Sequence, residues 1–147
     1  MRNRVFTYIT RGDQLLVLDY VDRRYIQPQI PGGTVREGEL PERAAVREAQ
    51  EETGLHSLEL VRFLGAFDRD LADIGRKEII TAWFFHLRTD EPTPTSWRHF
   101  ESDPSEGGGP VELELYWVPI ADIPVLGGID SAMLQELKRS VLDDSVQ

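Results

Sequence analysis

The 147-residue sequence predicts a domain of the α/β class, of α+β type, in which a mixed central sheet is flanked by helices. Three observations support this class. Strand-like apolar segments lie on both sides of one long helix-forming segment, in the order ββ(β), helix, ββ, loop, β, helix. This order is not a regular series of βαβ units. The length suits one domain, so we expect residues 1–147 to form a single one.

Two apolar runs near the N-terminus predict a β-hairpin. Residues 5–9 and 15–21 are rich in Val, Leu, Ile and Tyr, and Gly12-Asp13 between them is typical of a turn. Residues 25–30 form a short mixed segment that is a weaker strand candidate. Pro31-Gly32-Gly33 closes it, and the paired glycines indicate a backbone that bends or closely approaches a neighbour.

A change of composition at residues 40–53 predicts the first helix. Ala, Glu, Arg and Gln dominate this segment, and all four are good helix formers. Pro41 is tolerated in a first helical turn, and Gly54 follows the segment as a typical C-cap. Residues 58–67 and 78–87 are apolar enough to predict two strands.

The second half is predicted to contain a long loop, a strand and a helix. Residues 88–110 are polar, with four Pro and three consecutive Gly, so we expect a loop. Residues 111–120 alternate polar and apolar side chains, which predicts a strand. Asp130 is placed to cap a final helix. Its apolar stripe would be formed by Met133, Leu134, Leu137 and Val141.

Three carboxylates are predicted to share one face of the first helix. At 100° per residue, Glu51 and Glu52 lie at about −60° and +40° from Glu48. Neighbouring Cβ atoms on such a face are about 5–6 Å apart, so the like charges repel. A divalent cation would relieve that repulsion, since Mg²⁺ prefers carboxylate oxygens, water and phosphate. The alternative is a solvated face whose charges are paired with Arg43 and Arg47.

The spacing of these residues favours the metal-binding interpretation. Gly33 is followed after five residues by Glu39, and after seven more by Arg47-Glu48-Ala49-Gln50-Glu51-Glu52-Thr53-Gly54-Leu55. Residues 33–55 thereby resemble the Nudix box, G-x5-E-x7-R-E-U-x-E-E-x-G-U, in which U is a bulky or aliphatic residue. Ala49 is a small occupant of its U position. At average residue frequencies, chance agreement is on the order of 10⁻⁸ per window.

This resemblance to the Nudix hydrolase family implies a fold, a reaction and a set of roles. The fold would be an α/β/α sandwich with a mixed sheet. The reaction would be hydrolysis of a nucleoside diphosphate linked to a group X, with Mg²⁺ or Mn²⁺ as cofactor. The resemblance implies that Glu51 and Glu52 are metal ligands and that Glu48 is a ligand or the base that activates water. Arg47 would orient these glutamates by a salt bridge.

Other implied site residues lie near the helix or outside the box. Gly32 and Gly33 would let the loop meet the metal helix, and Glu39 would contribute to the loop-to-helix contact or support the ligands. The family often adds a carboxylate from the second half of the chain. The candidates are Glu101, Asp103, Glu106, Glu112 and Glu114. We favour Glu106 or Glu112, because they lie where the loop rejoins the sheet.

Aromatic residues provide candidates for substrate binding. Tyr8 on the first hairpin could line a base pocket, although ordinary packing is the favoured explanation. Trp97 lies inside the polar stretch with His99 and Phe100. An aromatic side chain there could stack on a base or hold the loop against the core.

Composition narrows the range of functions. The chain has no cysteine, so a disulfide scaffold, a thiolate zinc site and a cysteine nucleophile are excluded. Its 16 basic and 26 acidic residues give a formal net charge of −10, which argues against tight binding to DNA. No apolar run is long enough to span a membrane, and the first residues do not resemble a signal peptide. We therefore expect a cytoplasmic protein without a membrane partner.

The leading hypothesis is a metal-dependent pyrophosphohydrolase that acts on a small nucleotide or another diphosphate. Canonical or oxidised nucleoside triphosphates, dinucleoside polyphosphates, nucleotide sugars and non-nucleotide diphosphates all stay open as substrates. One alternative is a nucleotide-sensing binding module that keeps the fold without the chemistry. Another is an RNA-processing pyrophosphohydrolase. Relatives of this kind are often homodimers, so a homodimer is also a candidate assembly.

Overall fold

The computed structural model of the chain describes residues 1–101 and 109–145. The elements follow the predicted order, with one further strand and two short 3₁₀ turns added. The strands are β1 (Arg2–Arg11), β2 (Gln14–Tyr20), β3 (Gly32–Thr34), β4 (Glu59–Asp70), β5 (Ile79–Arg88), β6 (Ser96–Glu101) and β7 (Val111–Pro119). The helices are α1 (Pro41–Thr53) and α2 (Leu134–Ser145), with short 3₁₀ turns at Leu71–Ile74 and Ile120–Asp122.

The strands within the described residues form one mixed sheet. Its order is β4-β5-β1-β2-β7-β6, and β3 pairs with β1 beside this path. β1 runs parallel to β5, whereas the other pairs are antiparallel. β1 and β2 thus lie in the middle of the sheet, between β5 and β7.

Alternate residues of the same strands build two cores, one on each face of the sheet. Leu16 and Leu18 of β2 join the core beneath α1, while Leu15 and Val17 join the core beneath α2. Strand side chains alternate between faces, so a helix on each side is needed to cover both sets. The predicted sandwich with a mixed central sheet is therefore confirmed.

The hairpin, the first helix, the strands at 58–67, 78–87 and 111–120, and the apolar stripe of the last helix are all confirmed. α1 starts with Pro41 and ends at Gly54, which has the left-handed φ of 76° expected of a C-cap. None of the helices within residues 1–101 and 109–145 is long and apolar enough to cross a bilayer.

Three expectations about local structure were wrong. The third strand lies at Gly32–Thr34 and not at 25–30, because the two glycines pair with β1 directly. The predicted loop contains β6, whose side chains alternate between burial and exposure. Asp130 does not cap α2, which begins at Leu134; its Oδ2 accepts a 2.8 Å hydrogen bond from the Ile30 amide instead.

Candidate active site

Small side chains hold α1 close to the sheet. Ala44, Ala45 and Ala49 are fully buried in the core beneath the helix. They leave little separation between helix and sheet, so residues on the adjoining helix face are drawn into the contact. Glu48 and Glu52 occupy that face and are only 4% and 6% exposed. Sequence periodicity predicted the shared face, and close packing explains why these two carboxylates are buried.

The two glycines of β3 are required by their neighbours. A Cβ atom on Gly32 would lie 2.5 Å from the carbonyl oxygen of Val5, and one on Gly33 would lie 2.1 Å from the carboxyl carbon of Glu48. The Gly32 amide also donates a 2.6 Å hydrogen bond to Glu52 Oε1. β3 can therefore pair closely with β1 at Gly32, and lie directly against Glu48 of α1 at Gly33, only because these positions have no side chain.

Arg47 joins the helix to the segment before it. Its Nε and Nη2 donate to the two oxygens of Glu39 at 2.8 and 2.9 Å, and Nη2 also donates to the Thr34 carbonyl. Its Nη1 donates to Glu48 Oε1 at 2.9 Å. The hydrogen bonds from Arg47 are the main cause that lowers the pKa of Glu39 to about 2. Arg47 thus contacts both the loop-to-helix glutamate and a predicted catalytic glutamate.

The three box carboxylates differ in their surroundings. Burial is the main cause that raises the pKa of Glu48 and of Glu52, the latter well above its ordinary value. Glu48 Oε2 is buried with no hydrogen-bond partner among the described residues. Glu51 is 39% exposed and lies beside Arg47 and Arg36. Within the described parts of the chain, no three acidic or histidine side chains lie close enough together to form a complete metal-ligand set.

Strand β6 runs alongside the C-terminal half of α1. Trp97 Nε1 donates to the Thr53 carbonyl at 2.9 Å, and a ring nitrogen of His99 lies 2.8 Å from the Glu51 carbonyl oxygen. Both carbonyls belong to the last turn of the helix, where no intrahelical amide is available to donate to them. Because side chains alternate along a strand, Glu101 continues the same row and faces the same side.

Glu101 is a fourth carboxylate beside the buried glutamates. It is 9% exposed, and its charge is the largest contribution after burial that raises the pKa of Glu52. Burial, followed by the charges of Glu52 and Glu101, raises the pKa of Tyr20 to about 12. Glu52, Glu101 and the Tyr20 phenol therefore lie close enough for their charges to affect one another. Sequence reasoning included Glu101 among the candidates but did not favour it.

The two favoured candidates for the extra carboxylate have different outcomes. Glu106 lies outside the described residues. Glu112 lies on β7, where Leu113 and Leu115 point into the core beneath α1. Strand alternation therefore directs Glu112 to the opposite face, where it lies 3.7 Å from Arg98. Glu112 therefore lies on the face of the sheet away from α1, apart from Glu48 and Glu52.

The two aromatic candidates are occupied by structural contacts. Tyr8 is fully buried; its hydroxyl donates to the Asp130 carbonyl and accepts from the Met133 amide. It holds the segment before α2 to the sheet and offers no surface to a base. Trp97 is bonded to α1 and its ring centroid lies 6.4 Å from that of Trp117. Of the alternatives considered for Trp97, this geometry favours attachment of the segment to the core.

The box residues, the sheet order and the paired glycines agree with one family. The model of the NUDIX domain matches residues 1–139. The chain belongs to the NUDIX family. The predicted resemblance is thereby confirmed, and with it the enzyme class: NUDIX proteins are hydrolases that act on phosphoanhydride bonds.

Several solved structures share this fold at low sequence identity. The MutT NUDIX hydrolase from Burkholderia pseudomallei has a TM-score of 0.63 at 23% identity, over 92% of this chain and 97% of that one. A UDP-X diphosphatase has a TM-score of 0.66 at 16% identity, over 97% of this chain and 64% of that one. An ADP compounds hydrolase has a TM-score of 0.59 at 19% identity, over 97% and 74% of the two chains.

NUDIX hydrolases use divalent metal cations, and the residues of this site fit such an ion. Glu48 has a buried oxygen that accepts no hydrogen bond from the described residues, and a Cβ atom on Gly33 would occupy the space against it. The charge of Glu101 adds to that of Glu52. Buried, mutually repelling carboxylate oxygens are the donor set that a hard divalent cation stabilises. Glu51 could join this set only by leaving Arg36 and Arg47.

Proposed function

We propose that this chain hydrolyses the pyrophosphate linkage of a nucleoside di- or triphosphate derivative, with Mg²⁺ or Mn²⁺ as cofactor. The observation that carries the proposal is the burial of Glu48, Glu52 and Glu101, with the charges of Glu101 and Glu48 both raising the pKa of Glu52. Burying charges that repel each other costs free energy unless an opposite charge is present. A protein of net charge −10 also repels an anionic substrate, and bound cations would offset that repulsion.

Each residue of the site has a role that its contacts support. Glu48 is the proposed proton acceptor, because Arg47 holds one oxygen and leaves Oε2 available. Its raised pKa suits proton transfer near neutral pH better than an ordinary glutamate would. Glu52 and Glu101 are proposed as metal ligands, with Glu51 as a further ligand after rotation of its side chain.

The remaining residues fix these groups in place. The Gly32 amide fixes Oε1 of Glu52 with a hydrogen bond. Arg47, held by both oxygens of Glu39, sets the position of Glu48. A bound divalent cation supplies charge neutralisation of the phosphates and lowers the pKa of a coordinated water. Orientation of the carboxylates is therefore the contribution of this chain.

Two observations support a small nucleotide over the alternatives. The similar solved structures include a UDP-X diphosphatase and an ADP compounds hydrolase, both named for nucleotide compounds. The strongly acidic composition disfavours an RNA-processing role, since RNA chains are bound through many basic contacts. A nucleotide-sensing module without catalysis would not need all four box glutamates and Arg47, and all of them are present.

A substrate panel with a matched pair of variants tests this proposal. Purified protein is incubated with nucleoside triphosphates, dinucleoside polyphosphates, nucleotide sugars and dinucleotides, with Mg²⁺ or EDTA, and phosphate or pyrophosphate release is followed. We expect Mg²⁺-dependent turnover that Glu52→Gln lowers on the order of 10²-fold. Glu42→Gln, an exposed change on the same helix, should leave it unaltered. Metal-independent turnover, or equal loss in both variants, would contradict the proposed site.

A further inference from the structure

Strand β6 lies at one end of the sheet and is held to α1 by two side chains. Trp97 Nε1 donates a 2.9 Å hydrogen bond to the Thr53 carbonyl, and Nε2 of His99 lies 2.8 Å from the Glu51 carbonyl oxygen. An edge strand pairs with one neighbouring strand, which is β7 in this sheet. Contacts outside the sheet therefore contribute strongly to where the side chains of β6 lie relative to the helix.

The His99 ring has a defined orientation against the last turn of α1. A carbonyl oxygen can only accept, so Nε2 carries the proton in the hydrogen bond to Glu51. The ring also lies close to Gly54, since a Cβ atom there would be 3.1 Å from Nδ1. One donor bond and one close packing contact thus set the position and the tilt of the imidazole.

The face of β6 that carries His99 also carries Glu101. Side chains alternate along a strand, so residues 97, 99 and 101 form one row. His99 pairs with Leu113 of β7, which belongs to the core beneath α1, so the register independently directs this row toward the helix. Glu101 is 9% exposed and lies about 7 Å along the strand from His99.

The partner of His99 on the helix adjoins a second buried carboxylate. The carbonyl that His99 contacts belongs to Glu51, and Glu52 is the next residue of α1. The charge of Glu101 raises the pKa of Glu52, so the two carboxylates interact across the space between β6 and α1. A change in the distance from His99 to the helix would therefore change the separation of Glu52 and Glu101.

We propose that His99 is a positioning residue, which fixes the Glu101 carboxylate of β6 beside the Glu52 carboxylate of α1 so that both can bind the same divalent cation. This inference rests on the proposed function and gives His99 a role without direct contact to the substrate. Mg²⁺ accepts ligand oxygens only within a narrow range of distances. Residues that orient metal ligands typically change metal affinity 10–100-fold when they are replaced.

Two substitutions of His99 separate its hydrogen bond from its packing. His99→Phe keeps a ring beside Gly54 and removes the donor, whereas His99→Gln keeps an amide donor and removes the ring. Calorimetric titration of the substrate-free protein with Mg²⁺ measures the affinity directly. We expect His99→Phe to weaken Mg²⁺ at least fivefold and His99→Gln to retain most of the affinity. Equal affinity of His99→Phe and the wild type would overturn the proposal.

A control and a double-mutant cycle show whether His99 acts through Glu101. Arg98→Gln changes an exposed residue on the other face of β6, where Arg98 lies near Glu112, and should leave Mg²⁺ affinity within about twofold of the wild type. In a Glu101→Gln background, His99→Phe should also change the affinity by less than about twofold. A full, additive loss in that background would show that His99 does not position Glu101.

A metal-free measurement tests the same arrangement without relying on the cation. In EDTA at pH 8, Glu52→Gln removes the repulsion between Glu52 and Glu101 and should raise the melting temperature. Because His99→Phe releases Glu101 from the helix, Glu52→Gln should raise the melting temperature of this variant less, by about 1 °C or more. An equal rise in both backgrounds would overturn the positioning role. Absence of Mg²⁺ binding and of Mg²⁺-dependent turnover in the wild type would contradict the proposed function instead, and the metal-free comparison would still decide the role of His99.

Discussion

The amide nitrogen of Gly32 donates a 2.6 Å hydrogen bond to Oε1 of Glu52. This contact joins the shortest strand of the sheet to a buried carboxylate of α1, 20 residues later in the sequence. A hydrogen bond to the ionised form favours that form, and it lowers the pKa of Glu52 against the larger raising effect of burial. The glycine pair is therefore part of the electrostatic design of the site as well as of its shape.

Alanine substitutions at Gly32 and Gly33 should separate the effect of these glycines on the geometry of the site from their effect on the stability of the fold. Gly33→Ala brings a Cβ atom to 2.1 Å from the carboxyl group of Glu48, so that side chain must move. Turnover should fall on the order of 10²-fold with a small change in the melting temperature. Gly32→Ala meets the rigid carbonyl of Val5 and should lower the melting temperature further. Gly109→Ala, which meets nothing within 4 Å, is the control. Full turnover of Gly33→Ala would refute the role of this contact.

The carboxylate that assists from outside the box can be identified by comparing two glutamate-to-glutamine substitutions. Glu101 faces α1 and raises the pKa of Glu52, whereas Glu112 lies on the other face beside Arg98. Glu101→Gln should lower kcat at saturating Mg²⁺ at least tenfold and raise the Mg²⁺ concentration needed for half-activity. Glu112→Gln should alter neither quantity more than about twofold. The reverse order of effects would show that the assignment by sheet face is wrong.

Removal of a buried carboxylate should stabilise the metal-free protein. Burial and the charge of Glu101 raise the pKa of Glu52 well above its ordinary value, so the folded state retains a proton that the unfolded state has released. This term stabilises the fold at low pH and is lost as the pH rises through the raised pKa. At pH 8 in EDTA, Glu52→Gln should therefore melt at a higher temperature than the wild type.

Millimolar Mg²⁺ should reverse that order. An ion that binds only the folded state stabilises it through linkage, and Glu52→Gln removes a proposed ligand. Differential scanning calorimetry with and without Mg²⁺ measures both effects, and Glu42→Gln on the exposed face serves as the control. An equal Mg²⁺ shift in the wild type and in Glu52→Gln would argue against Glu52 as a ligand.

His86 should make the fold sensitive to acid. It is fully buried between the hydroxyl groups of Thr10 and Ser140, at 2.8 and 2.7 Å, and burial lowers its pKa to about 4. Between pH 6.5 and 4 the unfolded chain binds a proton that the folded chain does not. Stability should therefore fall as the pH falls through this window, by up to about 3 kcal/mol.

The raised pKa values of Glu48 and Glu52 oppose this trend over part of the same range, so the His86 effect must be isolated. Urea unfolding of the wild type and of His86→Gln at several pH values does so, since only the wild type loses stability through this histidine. His56→Gln, at an exposed position, is the comparison. Parallel pH profiles for the wild type and His86→Gln would count against the assignment.

Local sequence patterns were sufficient to predict the elements whose conformation depends only on residues close by in the sequence. The glycine turn at Gly12, the alanine-rich helix and its C-cap at Gly54 depend on neighbours in sequence, and all were predicted. β6 was not predicted, because its alternation mixes Trp97 and His99 with exposed polar residues. Its hydrogen bonds to β7 and to the end of α1 stabilise it, and those partners are distant in sequence.

The sequence by itself determined the family, the metal helix and the identity of the four box glutamates and Arg47. Fixed spacing along one helix determines that Glu48, Glu51 and Glu52 share a face. Only the tertiary structure decided which carboxylates are buried and which face of the sheet Glu101 and Glu112 occupy. These properties depend on how strands distant in sequence pair and on which face of the sheet each residue then joins. A one-residue change of register moves every side chain of a strand to the opposite face, so local sequence could not decide them.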